Sequence, residues 1–203
     1  ITELVTGLDL VKEMVRVAEG KPLAEGNVAR RGAAIEARLY AEDPAAGFLP
    51  SPGKISLLRP ASGPFLRDDS GIFEGGQVSA SYDPLLAKLA VWGEDRTQAL
   101  ARMRRALSDY AIGGICTNLA FLSRVVTHPE FADGSYDIGF VAKNLPELLR
   151  EPSLDMEARR IVAAAAAVAA HERAEARARL GSRESRAPGL APWVSAQRSE
   201  LKW

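Results

Sequence analysis

Glu36 and Arg38 carry opposite charges inside a stretch that otherwise alternates as a core strand should, and no other pair in the sequence has a clearer reason to do chemistry. From Ala34 to Ala41, Ile35, Ala37, Leu39 and Ala41 share one face, while Ala34, Glu36, Arg38 and Tyr40 share the other. Glu36 and Arg38 are therefore neighbours on one face. Such a pair is either a solvated surface pair, worth less than about 1 kcal/mol, or part of a polar site. The residues after the strand favour a site: Ala41-Glu42-Asp43-Pro44 and then Phe48-Leu49-Pro50-Ser51-Pro52-Gly53 remove backbone donors and pin the path of the chain.

The run from Arg31 to Gly53 resembles a motif of the biotin carboxylase family, ATP-grasp enzymes that carboxylate the ureido nitrogen of biotin with bicarbonate. The resemblance implies that Arg38 is the catalytic, biotin-binding residue, holding the ureido oxygen and stabilising the negative charge that develops there. A planar, permanently charged guanidinium suits that task, and one such donor is typically worth ~3 kcal/mol in the transition state. Glu36 is read as the ion-pair partner that orients Arg38. Where the family usually has Arg-Gly-His-Ala, this chain has Arg31-Gly32-Ala33-Ala34, a change that bears on local packing more than on the chemistry.

Further runs match the same family in the same order. Thr2 to Gly7 resembles the segment after the catalytic loop, and Ser81-Tyr82-Asp83-Pro84 a turn facing the cleft. That turn makes Tyr82 and Asp83 supporting residues, against the alternative of an Asp-Pro turn that only begins a strand. The runs Gly114 to Asn118 and Gly134 to Phe140 also match, and the second implies that Ile138 lies near the adenine of ATP, against the alternative of one more apolar residue at a helix start. The implied substrates and cofactors are biotin on a carrier domain, ATP, Mg2+ or Mn2+, and bicarbonate. The metal ligands and phosphate-binding lysines of the family precede the segment matched here, so no metal ligand is assigned.

Composition sets outer limits. The 203 residues hold 47% apolar and 26% charged residues, enough for one sizeable core plus an appendage. With 26 basic and 26 acidic residues, no global field attracts nucleic acid or an anionic membrane. The longest apolar run, Ile161 to Ala170, is too short to span a bilayer. A lone cysteine, Cys116, makes no internal disulfide and points to a reducing compartment: the cytoplasm, or the mitochondrial matrix in a eukaryote. His128 and His171 have no partners at ligand spacing and are read as structural or solvated. The start at Ile1 makes an excised piece of a longer protein the expectation.

Local signals place the elements. Asp9 is expected to cap an amphipathic core helix to Glu19, with Leu10, Val11, Met14, Val15 and Ala18 buried. Lys54 to Leu58 reads as a strand, Gly71 to Val78 as a hairpin turning at Gly75 and Gly76, and Leu86 to Trp92 as a strand. Lys88, inside that strand, reads as structural. Asp95 caps a helix to Tyr110 whose stripe is Leu100, Met103, Ala106, Leu107 and Tyr110. Arg102, Arg104 and Arg105 are read as its solvated face. Thr117-Asn118 is expected to cap a helix to Val126, and Asp137 one to Leu148 that Pro146 interrupts. After Pro152 alanine dominates: a helix over Asp155 to Leu180 ends at Gly181, residues 182–192 read as a linker, and Pro192-Trp193-Val194 opens a strand.

The expected fold is α+β, a mixed, largely antiparallel sheet with flanking helices followed by a long helix. Residues 1–30 would close the ATP-grasp portion, 31–150 form the carboxylase C-terminal subdomain, and 151–203 open a subunit-docking domain. That layout resembles an acyl-CoA carboxylase α subunit of the propionyl-CoA or 3-methylcrotonyl-CoA type. It implies a biotin carboxyl carrier domain, a carboxyltransferase β subunit and a homo-oligomer as partners, with no nucleic acid or membrane. The piece alone is expected to be inactive. The alternatives are the carboxylase part of a pyruvate or urea carboxylase, and a non-catalytic assembly module.

Overall fold

A computed structural model describes residues 1–23, 28–150 and 155–184, and the chain divides into two units, Ile1–Arg150 and Glu151–Trp203. In chain order the first unit begins with helices α1 (Thr2–Thr6) and α2 (Leu10–Ala18) and strand β1 (Ala33–Tyr40). Short strands β2 (Glu42–Asp43), β3 (Leu49–Pro50), β4 (Gly53–Lys54) and β5 (Leu57–Arg59) follow. Next come β6 (Leu66–Ser70), β7 (Gln77–Val78), β8 (Leu85–Gly93), helix α3 (Arg96–Asp109) and β9 (Ala111–Gly113). Helices α4 (Leu119–Thr127), α5 (Pro129–Asp133) and α6 (Phe140–Leu148) close the unit, and α7 (Met156–Glu184) belongs to the second.

The central sheet runs β1-β8-β6, and every strand pairing among the described residues is antiparallel. Alternation builds β1 as expected: Ile35, Ala37 and Leu39 are buried, as is the following Ala41, and the charged face looks outward. The middle strand β8 is almost continuously apolar, with Leu86, Ala87, Leu89, Ala90 and Val91 buried. Helix α3 lays Ala99, Leu100, Met103, Ala106 and Leu107 against this core. Asp95 caps α3 by accepting from the Gln98 amide at 2.7 Å. Leu89 and Met103 are fully buried, so truncating either to alanine costs ~2–5 kcal/mol. A second cluster joins Phe121, Phe140 and Leu148.

Several local expectations are corrected. Asp9 caps α2 through the Lys12 amide at 2.9 Å, but none of its residues is buried: Val11 is 67% and Met14 70% exposed. Periodicity gives the helix an apolar face without saying what that face meets. The strand expected over 54–58 is broken, because β4 pairs with β7 and β5 with β9. Gly71 to Val78 is a turn and not a hairpin, since β6 before it joins β8 while β7 after it joins β4. Gly75 and Gly76 bond instead across to Ile55.

Further along, Arg102 donates to the Trp92 carbonyl and lies 4.4 Å from the Phe65 ring centre. Arg104 donates to the Val126 carbonyl at 3.2 Å. Arg102 is thus a half-buried packing residue, whereas Arg104 and Arg105, the latter paired with Asp109 at 3.4 Å, are exposed and fit the solvated face. Helix α5, opened by Pro129 behind a His128 cap, is an element the sequence reading lacks. Helix α6 begins at Phe140, three residues after Asp137, and runs through Pro146. There the Leu149 amide still reaches the Leu145 carbonyl, so one lost donor near the helix end is tolerated.

In the second unit Asp155 accepts from the Ala158 amide at 2.7 Å and starts α7. The helix passes through Gly181 to Glu184, because one glycine costs only ~1 kcal/mol among good helix formers. Residues 182–184 are thus helical rather than linker; residues 185–203, with the strand expected at Pro192 to Val194, lie outside the described residues. No described helix is long and apolar enough to cross a membrane.

Candidate functional site

The outward face of the central sheet gathers the charged side chains. In register, Arg38 on β1 stands opposite Lys88 on β8, which stands opposite Asp69 on β6; one step along, Glu36, Ala90 and Arg67 are aligned. Because side chains opposite one another point to one side, these residues make one charged surface over an apolar core. Arg38 Nε donates to Glu36 Oε1 at 3.0 Å. The arginine side chain is 59% exposed and the glutamate 25%, so the less exposed carboxylate anchors a guanidinium that still presents donors to solvent. The Glu36 hydrogen bond raises the Arg38 pKa above its ordinary value, with smaller contributions from Tyr40; the charge is permanent.

Arg67 completes the surface. It bonds Asp69 at 2.9 Å and Glu3 of α1 at 3.0 Å, which ties the first helix to the sheet. Glu3, Glu36, Arg67, Asp69 and Lys88 line a shallow depression on this face. Arg67 and Asp69 are absent from the sequence candidates: Arg67-Asp68-Asp69 is an unbroken run of charges without the apolar alternation that singles out Glu36 and Arg38, and the register of β6 on β8 is what places them here. Lys88, a structural residue by its sequence, is exposed beside Arg38.

The other sequence candidates are dispersed. Asp83 Oδ1 accepts from the Leu85 amide at 2.8 Å, closing the turn into β8. Its charge also acts on Glu42, whose pKa is raised first by burial and then by Asp83. Tyr82 is 84% exposed, and Ile138, in the segment between α5 and α6, is fully exposed. Among the described residues, no group of three or more His, Cys, Asp or Glu is placed to hold a metal ion.

Asn118 does something other than its sequence position suggests. It makes no side-chain cap to α4. It is instead the one buried polar side chain among the described residues. Its Oδ1 accepts from the Tyr40 amide at 2.9 Å and its Nδ2 donates to the Arg38 carbonyl at 3.1 Å.

These elements define an α+β subdomain, an antiparallel sheet with helix α3 against its apolar face and charged side chains on the other. The profile described as the biotin carboxylase C-terminal domain matches residues 36–143, and the chain belongs to that family. It is 44% identical over 200 residues to the propionyl-CoA carboxylase alpha chain of Ruegeria pomeroyi, covering 87% of this chain and 29% of that one. The biotin carboxylase domain of the Hydrogenobacter thermophilus 2-oxoglutarate carboxylase, solved as a dimer with MgADP, ADP and bicarbonate, superposes with TM-score 0.71. The two are 33% identical, over 75% of this chain and 34% of that one. A complete pyruvate carboxylase from Rhizobium etli gives TM-score 0.72 at 35% identity, over 76% of this chain and 15% of that one. The chain thus spans about a third or less of the length of these relatives.

Proposed function

We propose that this chain is part of a biotin-dependent acyl-CoA carboxylase α subunit that carboxylates biotin with bicarbonate at the expense of ATP. Residues 1–30 would close its ATP-grasp portion, 31–150 form its C-terminal carboxylase subdomain, and 151–203 open the region that docks a carboxyltransferase β subunit. One observation carries the reading: within the family-matched segment, Arg38 is a guanidinium anchored at 3.0 Å by Glu36 and more than half exposed on the open sheet face.

The donors of Arg38 fit a carbonyl oxygen that gains negative charge. Biotin, brought on a carrier domain, would supply that oxygen and the nucleophilic ureido nitrogen beside it. Arg38 would bind and orient the ureido group, Glu36 would hold the guanidinium, and Asp83 would fix the turn into β8 behind it. Ile138, exposed ahead of α6, would contact the adenine of ATP. By the family resemblance the groups that hold Mg2+ or Mn2+ and the ATP phosphates would lie outside these residues, and the 203-residue chain alone should be inactive. The match to the propionyl-CoA relative over 200 residues supports the acyl-CoA subtype, and the Rhizobium etli likeness supports a pyruvate carboxylase as second reading. The dimer in the Hydrogenobacter thermophilus structure supports a homo-oligomer. Cytoplasm or mitochondrial matrix is the proposed location.

The test is Arg38→Ala in the parent polypeptide, which should lower biotin-dependent ATP cleavage by at least ~100-fold with the fold intact. Arg38→Lys should rescue little, since an ammonium lacks the planar fork. Near wild-type carboxylation of biotin by either variant would sink the assignment.

A further inference from the structure

We infer that Asn118 is a positioning residue for Arg38: its carboxamide acts as a one-residue strand that fixes the backbone from which the guanidinium projects. The inference rests on the role proposed for Arg38.

Strand β1 lies at the edge of its sheet, with β8 on one side only. The ladder to β8 loses register just after Arg38, where Leu39 faces Ala87 but Tyr40 faces Leu85, leaving Leu86 unmatched. A bulge of this kind frees the strand to bend and twist. At that same place Asn118 grips the other edge. Nδ2 donates to the Arg38 carbonyl at 3.1 Å, Oδ1 accepts from the Tyr40 amide at 2.9 Å, and the Asn118 amide donates to the Tyr40 carbonyl at 3.2 Å. One donor and one acceptor bracketing a single residue is what a neighbouring strand would offer. Because the Arg38 carbonyl can only accept and the Tyr40 amide can only donate, just one orientation of the carboxamide satisfies both.

The clamp is itself held. Gly114 takes φ +98°, and a Cβ there would lie 2.2 Å from the Lys54 carbonyl oxygen, so the segment leading to Asn118 runs tight against β4. The Cys116 amide donates to Ser51 Oγ at 3.0 Å, and the Ser51 amide to the Ala41 carbonyl at 2.7 Å, which returns the contact to the end of β1. Asn118 is buried, so losing its carboxamide leaves two backbone groups without partners. A small rotation at the Arg38 Cα is magnified along the arginine arm, and a misplacement of about 1 Å can cost on the order of 100-fold in rate.

The experiment uses Asn118→Ala, Arg38→Ala and the double variant in the parent polypeptide, with free biotin as substrate. Asn118→Ala should lower biotin-dependent ATP cleavage about 10- to 100-fold, while any ATP cleavage measured without biotin, and the KM for ATP, stay at wild-type values. The double variant should be no slower than Arg38→Ala, because the clamp acts through the arginine. In the 203-residue chain, hydrogen exchange should show the Tyr40 amide losing protection while amides of β8 keep theirs. If the alanine variant fails to fold, Asn118→Asp keeps the acceptor for Tyr40, drops the donor to Arg38, and should show the same split between the two rates. Losses that multiply in the double variant, or that strike cleavage without biotin equally, overturn the clamp. Wild-type carboxylation by Arg38→Ala would instead overturn the reading of Arg38 itself.

Discussion

Glu36 and Arg38 pair within one strand, Oε1 to Nε at 3.0 Å, rather than across the sheet to the residues opposite them. Two residues of one extended strand hold a fixed spacing, so this pair keeps its geometry whatever β6 and β8 do. The pair is partly exposed, and its worth to stability is below about 1 kcal/mol; orientation is its contribution. In the parent polypeptide Glu36→Gln should therefore lower biotin-dependent turnover by only about 10-fold, since the amide oxygen still accepts from Nε, against at least ~100-fold for Arg38→Ala. Steady-state rates decide it. Equal losses would give Glu36 chemistry of its own, and no loss would remove its orienting role.

Asp68 and Tyr110 set a pH dependence. Burial raises the Asp68 pKa, only partly offset by the Tyr110 hydroxyl bond at 3.2 Å, and its Oδ1 is buried without a hydrogen-bond partner. Burial first and the Asp68 charge second push Tyr110 up to about 12. A carboxyl group whose pKa is raised on folding holds its proton more tightly in the folded chain, so stability falls as pH rises from the unfolded value, ~3.9, through the folded one. Asp68→Asn removes that loss. Urea midpoints should show the variant at least as stable as wild type at pH 7, with the difference shrinking as pH falls toward 4. A variant that is less stable at pH 7 and gains relative to wild type on acidification would reverse the sign and refute the account.

Gly32 governs how the chain enters β1. It takes φ +69°, and a Cβ there would lie 2.2 Å from the Gly93 carbonyl oxygen and 2.7 Å from the Trp92 ring. Trp92 is fixed in turn by its indole donating to the Arg31 carbonyl at 2.9 Å. Gly32→Ala combines a left-handed backbone penalty with a clash against backbone, and should cost about 2–4 kcal/mol. The expected signature is a lower urea midpoint with an unchanged slope. A loss under ~0.5 kcal/mol would mean the strand entry shifts freely.

Local physics is legible in the sequence, and long-range physics is not. Alternation places Ile35, Leu39, Glu36 and Arg38 on their correct faces, and helical spacing does the same for Leu100, Met103 and Leu107, because neighbours along the chain decide those patterns. Pairing partners are hidden: the strand read over 54–58 splits between β7 and β9, a choice made by residues far away in sequence. Asn118 misleads for the same reason. Before a helix its short polar side chain has a local use as a cap, and nothing nearby announces a strand edge 78 residues earlier. Arg67 and Asp69 join the charged face only through the register of β6 on β8.

Helix α2 carries the sharpest difference between pattern and packing. Its apolar spacing predicts a core helix, yet Val11 is 67%, Met14 70% and Val15 54% exposed, and no residue of the helix is buried. Burial stabilises only what leaves water, at roughly 25 cal/mol per Å², so these side chains add little to this chain's stability. Met14→Lys should accordingly change the unfolding free energy by less than about 0.5 kcal/mol. Met103→Lys is the contrast: Met103 is fully buried under the sheet, and an unpaired ammonium there costs several kcal/mol. Urea titration of both variants separates the readings. A loss above ~2 kcal/mol for Met14→Lys would show that the face packs against this chain after all, whereas the small effect together with less self-association would mark the stripe as a surface apolar patch.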